Sequence, residues 1–94
     1  MATLQVELVA VERMIWSGEA RMVSAPAADG EIGILPGHSP VLTVLRPGTV
    51  RITPVDGSVQ AVRIDAGFLS VDTNRVTVVV DTAEDAGSGS TGTR

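Results

Sequence analysis

The stretch Thr49-Val50-Arg51-Ile52-Thr53-Pro54-Val55-Asp56-Gly57-Ser58-Val59-Gln60-Ala61-Val62-Arg63-Ile64-Asp65 decides the fold class. Val50 and Ile52 alternate with Thr49, Arg51 and Thr53, and beyond Asp56-Gly57 the residues Val62 and Ile64 alternate with Ala61, Arg63 and Asp65. A period of two places one set of side chains in a core and the other in solvent, as a half-buried strand requires. Asp-Gly between two such runs reverses the chain, because both residues tolerate the left-handed backbone that branched residues resist. This segment therefore predicts an antiparallel hairpin.

Outward from the hairpin the same period recurs. Toward the N-terminus, Pro47-Gly48 marks a turn, Val41–Leu45 reads as a strand, and Pro36–Pro40 is irregular because two prolines and Gly37 break both helix and ladder. Glu31–Leu35 reads as a short strand after a turn at Ala27-Ala28-Asp29-Gly30. Glu19–Ala25 is expected as a strand whose ladder Pro26 ends by withholding an N–H. In Thr3–Val11, Leu4, Val6, Leu8 and Ala10 alternate with polar Gln5 and Glu7. Toward the C-terminus, Gly67 opens a strand from Phe68 to Val71, and Asp72-Thr73-Asn74 turns the chain. Val76, Val78 and Val80 then share one face of the expected last strand. About eight short strands separated by Gly, Pro and Asp turns, with no 3.6-residue period, predict an all-β sandwich or flattened barrel.

Composition agrees and removes several function classes. The chain holds 15 Val, 5 Ile and 9 Thr, 29 of its 94 residues, a β-branched load that favours sheet. Hydrophobic residues are 44% and charged residues 19%, enough to build one packed core. Seven Arg and no Lys face 11 Asp and Glu, for a formal charge of -4, so phosphate neutralisation is weak and nucleic acid is not an expected partner. The absence of Cys excludes disulfides, thiolate metal sites and a cysteine nucleophile. The absence of Lys excludes lipoyl or biotinyl attachment and Schiff-base chemistry. Apolar runs reach four residues, Leu8–Val11, against about twenty for a spanning helix, so no membrane insertion is expected.

Candidate chemistry is thin. His38 beside Ser39 could be written as a base and a nucleophile, yet adjacent residues rarely meet in attack geometry, and no Gly-x-Ser-x-Gly turn is present. Asp29, Glu31 and His38 could supply three metal ligands, though acids around a turn glycine are ordinarily solvated. Gly30, Gly33 and Gly37 match no phosphate-binding fingerprint, and no Lys follows them. No catalytic, cofactor or metal residue is assigned. Trp16, followed by Ser17-Gly18, suits either a core edge or an interface. The segment Glu31–His38 is more apolar than a solvent loop requires, which favours burial against something, another chain being one such surface.

At these residues the chain resembles the epsilon subunit of bacterial F-type ATP synthases, whose mitochondrial counterpart is the delta subunit. Three ordered blocks carry the resemblance: Trp16-Ser17-Gly18, Gly30-Glu31-Ile32-Gly33-Ile34-Leu35-Pro36-Gly37-His38-Ser39-Pro40, and Ala66-Gly67-Phe68-Leu69-Ser70-Val71. With the pattern between them they cover residues 3–86. The resemblance implies a ten-stranded β-sandwich of two five-stranded sheets. It implies a non-catalytic rotor subunit between the gamma subunit and the c-ring, peripheral on the cytoplasmic face of the cell membrane and supporting the coupling of proton transport to ATP synthesis. It places Ala10, His38, Ser39, Pro40 and Thr43 toward gamma, and Asp29, Gly30 and Glu31 toward the c-ring.

Full-length members of that family continue into a two-helix hairpin that restrains ATP hydrolysis and in some bacteria binds ATP. Residues 87–94, Gly-Ser-Gly-Ser-Thr-Gly-Thr-Arg, have no apolar stripe and are too short for it, so neither property is expected of this chain. The expected division is a β-sandwich domain over 1–86 and a flexible Gly/Ser/Thr-rich tail over 87–94. The alternative function is a free-standing β-sandwich that binds a small ligand in an apolar pocket of about 300 Å³ between its sheets. Truncation after Ala86 should leave the thermal midpoint nearly unchanged, since the tail has nothing to bury. A scanning-calorimetry drop of several degrees would contradict the domain boundary.

Overall fold

In the computed structural model, which describes residues 2–85, nine strands follow in order among the described residues. They are β1 Leu4–Ala10, β2 Arg13–Ala27, β3 Gly30–Ile34, β4 Val41–Leu45, β5 Gly48–Pro54, β6 Gln60–Ile64, β7 Gly67–Asp72, β8 Arg75–Val80 and β9 Ala83–Asp85. No helix occurs among the described residues, and the all-β sandwich is the observed class. The tail 87–94 lies outside the described residues.

The 15-residue β2 makes the sandwich from one chain of ladders. Its first half pairs with β1, from Leu4↔Ala20 to Ala10↔Arg13; its second half pairs with β5 along one edge and with β3 along the other. Counted by halves, β2 gives two five-stranded layers. Layer A is β2 (first half), β1, β8, β7 and β4, and layer B is β3, β2 (second half), β5, β6 and β9. The implied ten strands are thus nine, one of them used twice. The layers meet again where Ala27 pairs with Leu45, flanked by hydrogen bonds from Ala28 N–H to the Val44 carbonyl and from Arg46 N–H to the Pro26 carbonyl.

Two irregularities let β2 do this. Leu8 faces Trp16 while Val9 faces Met14, leaving Ile15 as an extra residue; Ala20 faces Pro54 while Met22 faces Thr53, leaving Arg21 extra. Each bulge bends and twists the strand. The second also switches the phase of burial, from Ala20 before it to Val23, Ala25 and Ala27 after it. That switch explains why Glu19–Ala25 alternates poorly in sequence. The expectation that Pro26 ends this strand is corrected: β2 runs from Arg13 to Ala27, and Pro26 joins the ladder through its carbonyl. The expectation that β8 is the last strand is also corrected, because Ala83–Asp85 adds β9 against β6. Three residues carry too short a pattern to read.

The core is the inward face of both layers: Leu4, Val6 and Leu8 of β1, Val76, Val78 and Val80 of β8, Leu69 and Val71 of β7, Val50 and Ile52 of β5, and Val62 and Ile64 of β6. No polar or charged side chain is buried among the described residues. Trp16 packs at the margin of this core, its ring lying across Gly18, where a Cβ would come within 3.1 Å of it. Gly67 has a stricter reason to be glycine. A Cβ there would overlap the carbonyl oxygen of Val79 on the neighbouring strand.

Gly67→Ala should therefore destabilise the protein by about 2–3 kcal/mol through forced separation of β7 and β8. Leu8→Ala should cost about 3 kcal/mol through a core cavity. Urea denaturation measures both, and wild-type stability for either would contradict the packing described.

Candidate functional site

The outer face of layer A carries the site. Register aligns one residue from each of its five strands: Val44 beside Phe68, Phe68 beside Val79, Val79 beside Val9, and Val9 beside Met14. These side chains point away from the core and remain in solvent, with Val44 at 54%, Phe68 at 55%, Val79 at 42% and Met14 at 50% exposure and Val9 half-buried. The next row along the strands reads Leu42, Ser70, Thr77, Glu7 and Ser17, polar except for Leu42. Beyond it, Asp72 pairs with Arg75 and Gln5 with Glu19. The face therefore grades from an apolar row to a charged margin. An open depression of about 360 Å³ lies at the β4–β7–β8 end of the row, lined by Val11, Val44, Ala66, Phe68, Val79 and Asp81 among others.

An apolar row of this length on one layer is what protein contacts use, and isolated soluble domains ordinarily keep such patches small. Sequence reasoning missed it. On β7 and β8 the member is a single apolar residue on an otherwise polar face, and only the register between strands assembles the row. The signal present was Val79, placed among Arg75, Thr77 and Asp81 on the outward face of its strand.

At one end of β4 stands the loop 35–40. Leu35-Pro36-Gly37-His38 is a tight turn closed by the His38 N–H donating to the Leu35 carbonyl at 3.1 Å, with Gly37 at φ 90°. Proline at the second position and glycine at the third are the residues this turn requires. The His38 Nδ1 lies 2.6 Å from the Ser39 carbonyl oxygen, so Nδ1 carries the proton and donates there. The imidazole thus engages the Ser39 backbone carbonyl, and among the described hydrogen bonds none joins the ring to the Ser39 hydroxyl. The Gly37 N–H donates to Asn74 Oδ1 at 2.7 Å, tying the loop to the β7–β8 turn.

At the other end of β4 stands the turn between β2 and β3, with Asp29 and Glu31 exposed and Gly30 half-buried at φ 130°. The two clusters are separated by the length of a five-residue strand, roughly 15 Å. Asp29, Glu31 and His38 therefore do not converge, and no cluster of potential metal ligands occurs among the described residues.

Of the residues expected to face gamma, the structure gathers His38, Ser39 and Pro40 in the loop, with Ser39 and Pro40 exposed. Thr43 is half-buried and in phase with the inward residues of β4, beside Leu69. Ala10 is 7% exposed at the margin of the core, at the end of layer A away from the loop, with the exposed Val11 beside it. The apolar depression lies on the outside of layer A and not between the sheets, where the alternative small-ligand reading would place it.

Comparison with known proteins decides the family. The model of the ATP synthase Delta/Epsilon chain beta-sandwich domain matches residues 3–86. This chain belongs to that family. It is 52% identical over 85 residues to the ATP synthase epsilon chain of Rhodococcus erythropolis, covering 89% of this chain and 70% of that one. It is 48% identical over 83 residues to the epsilon chain of Bordetella petrii, covering 88% of this chain and 59% of that one. The chain thus spans about three-fifths to seven-tenths of these curated relatives. A chain of the mitochondrial ATP synthase of Euglena gracilis superposes with a TM-score of 0.84 at 23% identity, over 90% of this chain and 54% of that one. One from the central stalk and c-ring assembly of Tetrahymena thermophila superposes with a TM-score of 0.74 at 19% identity, over 87% and 66%. At those identities the two structures speak for the β-sandwich alone.

Proposed function

We propose that this chain serves as the β-sandwich part of an epsilon subunit in the central stalk of an F-type ATP synthase, without catalytic chemistry of its own. In this reading it joins the gamma subunit to the c-ring and stands on the cytoplasmic face of the cell membrane, peripheral to the bilayer. The observation that carries the reading is the apolar row Val44–Phe68–Val79–Val9–Met14 in a chain of this family. It offers gamma a hydrophobic centre with Phe68 as aromatic anchor, and the loop His38-Ser39-Pro40 stands at the opposite end of the same layer, beyond the polar row. Thr43 lies beneath Leu42 and Val44 and supports that edge, and Ala10 acts only as backing for Val11.

The turn Asp29-Gly30-Glu31 is the proposed c-ring contact. Its two exposed carboxylates suit basic or amide groups, a rim interaction worth about 1 kcal/mol or less and weakened by salt. The roughly 15 Å of β4 between the clusters lets one rigid body hold two partners at once. A close-packed interior of low compressibility suits a part that must carry torque without yielding.

Phe68→Asp should weaken association with purified gamma subunit by roughly 30-fold or more while leaving the circular-dichroism spectrum unchanged. Unchanged affinity for that variant would overturn the reading. Asp29→Arg combined with Glu31→Arg should bind gamma normally yet lose retention on c-ring-containing membranes, measured by co-sedimentation at low and high salt. Equal retention at low salt would remove the turn from the proposed contact.

A further inference from the structure

We propose that Asn74 positions the loop 35–40 for docking, acting on it from the β7–β8 turn. This inference rests on the reading of that loop as a gamma contact. In a turn with glycine third, the N–H of that residue points outward and has no partner within the turn. Here the Gly37 N–H is taken up by Asn74 Oδ1 at 2.7 Å, across 37 positions of sequence. Asn74 is itself anchored: its carbonyl accepts the Gln5 N–H at 2.8 Å, and its backbone is held at φ 61° in the two-residue turn between β7 and β8. The link therefore runs from β1 through Asn74 to the loop tip.

The loop's remaining hydrogen bonds, His38 N–H to the Leu35 carbonyl and His38 Nδ1 to the Ser39 carbonyl, span three residues and one. They shape the loop without setting where it stands against layer A. Among the described hydrogen bonds, that from Gly37 to Asn74 is the one that does so. The identity of residue 74 supports a positioning role. Glycine would satisfy a positive φ at this turn position at least as well. What asparagine adds is a side-chain acceptor, and the acceptor is used by the loop. The neighbouring Thr73 stands at φ 49°, costly for a β-branched residue, with its hydroxyl donating to the Asp72 carboxylate at 3.2 Å. The turn is thus held in a conformation that Thr73 does not favour, with Asn74 aimed at the loop. A loop ordered before contact gives up less freedom on docking, so Asn74 would contribute to affinity without touching the partner.

Two variants of the full chain separate the roles. Asn74→Gly keeps the backbone and removes the acceptor, whereas Asn74→Asp keeps both an acceptor and tolerance of positive φ. By nitrogen-15 relaxation on the free protein, the order parameters of Gly37, His38 and Ser39 should fall from the rigid range near 0.85 toward about 0.6 in Asn74→Gly and stay high in Asn74→Asp. Affinity for purified gamma subunit should fall about fivefold in Asn74→Gly and recover in Asn74→Asp, with the thermal midpoint of both near wild type. Unchanged order parameters in Asn74→Gly would overturn the inference, as would lost order with unchanged affinity. If wild-type chain fails to bind gamma at all, the functional reading falls, and the relaxation arm still decides whether Asn74 holds the loop.

Discussion

The double use of β2 is the constraint on which the rest depends. A 15-residue strand belongs to two layers only if it bends and changes the face it buries part-way along, and the bulges at Ile15 and Arg21 do both. The bend brings layer A over layer B and closes an apolar core; the phase change keeps that core apolar on both sides of the bend. The Ala27–Leu45 bridge then ties the far end of β2 to β4. With β4 fixed in this way, its two ends carry the loop 35–40 and the turn 28–30 at a rigid spacing.

Much of this was legible from local pattern. Leu4, Val6 and Leu8, the hairpin from Val50 to Ile64, and the Val76–Val80 strand all sit as alternation predicted, because each is half-buried and unbroken. β2 was legible only in part, since a bulge resets the period and a short window reads the reset as noise. Its first turns, Arg13–Gly18, mix an exposed Met14 with half-buried Ile15 and Trp16 and so offer no clean alternation. The short β9 escaped because three residues define no period at all.

For the site, the loop and the acidic turn were legible from glycine and proline spacing, and Gly67 now has a physical reason in the close approach of Val79. The apolar row was not legible, because Val44, Phe68, Val79, Val9 and Met14 lie far apart in sequence and meet through four separate ladders. Ala10 shows the converse limit. A position assigned by resemblance carries no information on which way the side chain points, and the alternation of β1 turns this one inward.

The most direct test of the account is radical footprinting of the chain, free and in complex with gamma subunit, read at Phe68, Met14 and Met22. Phe68 and Met14 belong to the outward row of layer A, whereas Met22 is exposed on the second half of β2, where it pairs with Thr53 of layer B. Complex formation is expected to shield Phe68 and Met14 and to leave Met22 as reactive as before. Shielding of Met22 with Phe68 still fully labelled would contradict the account.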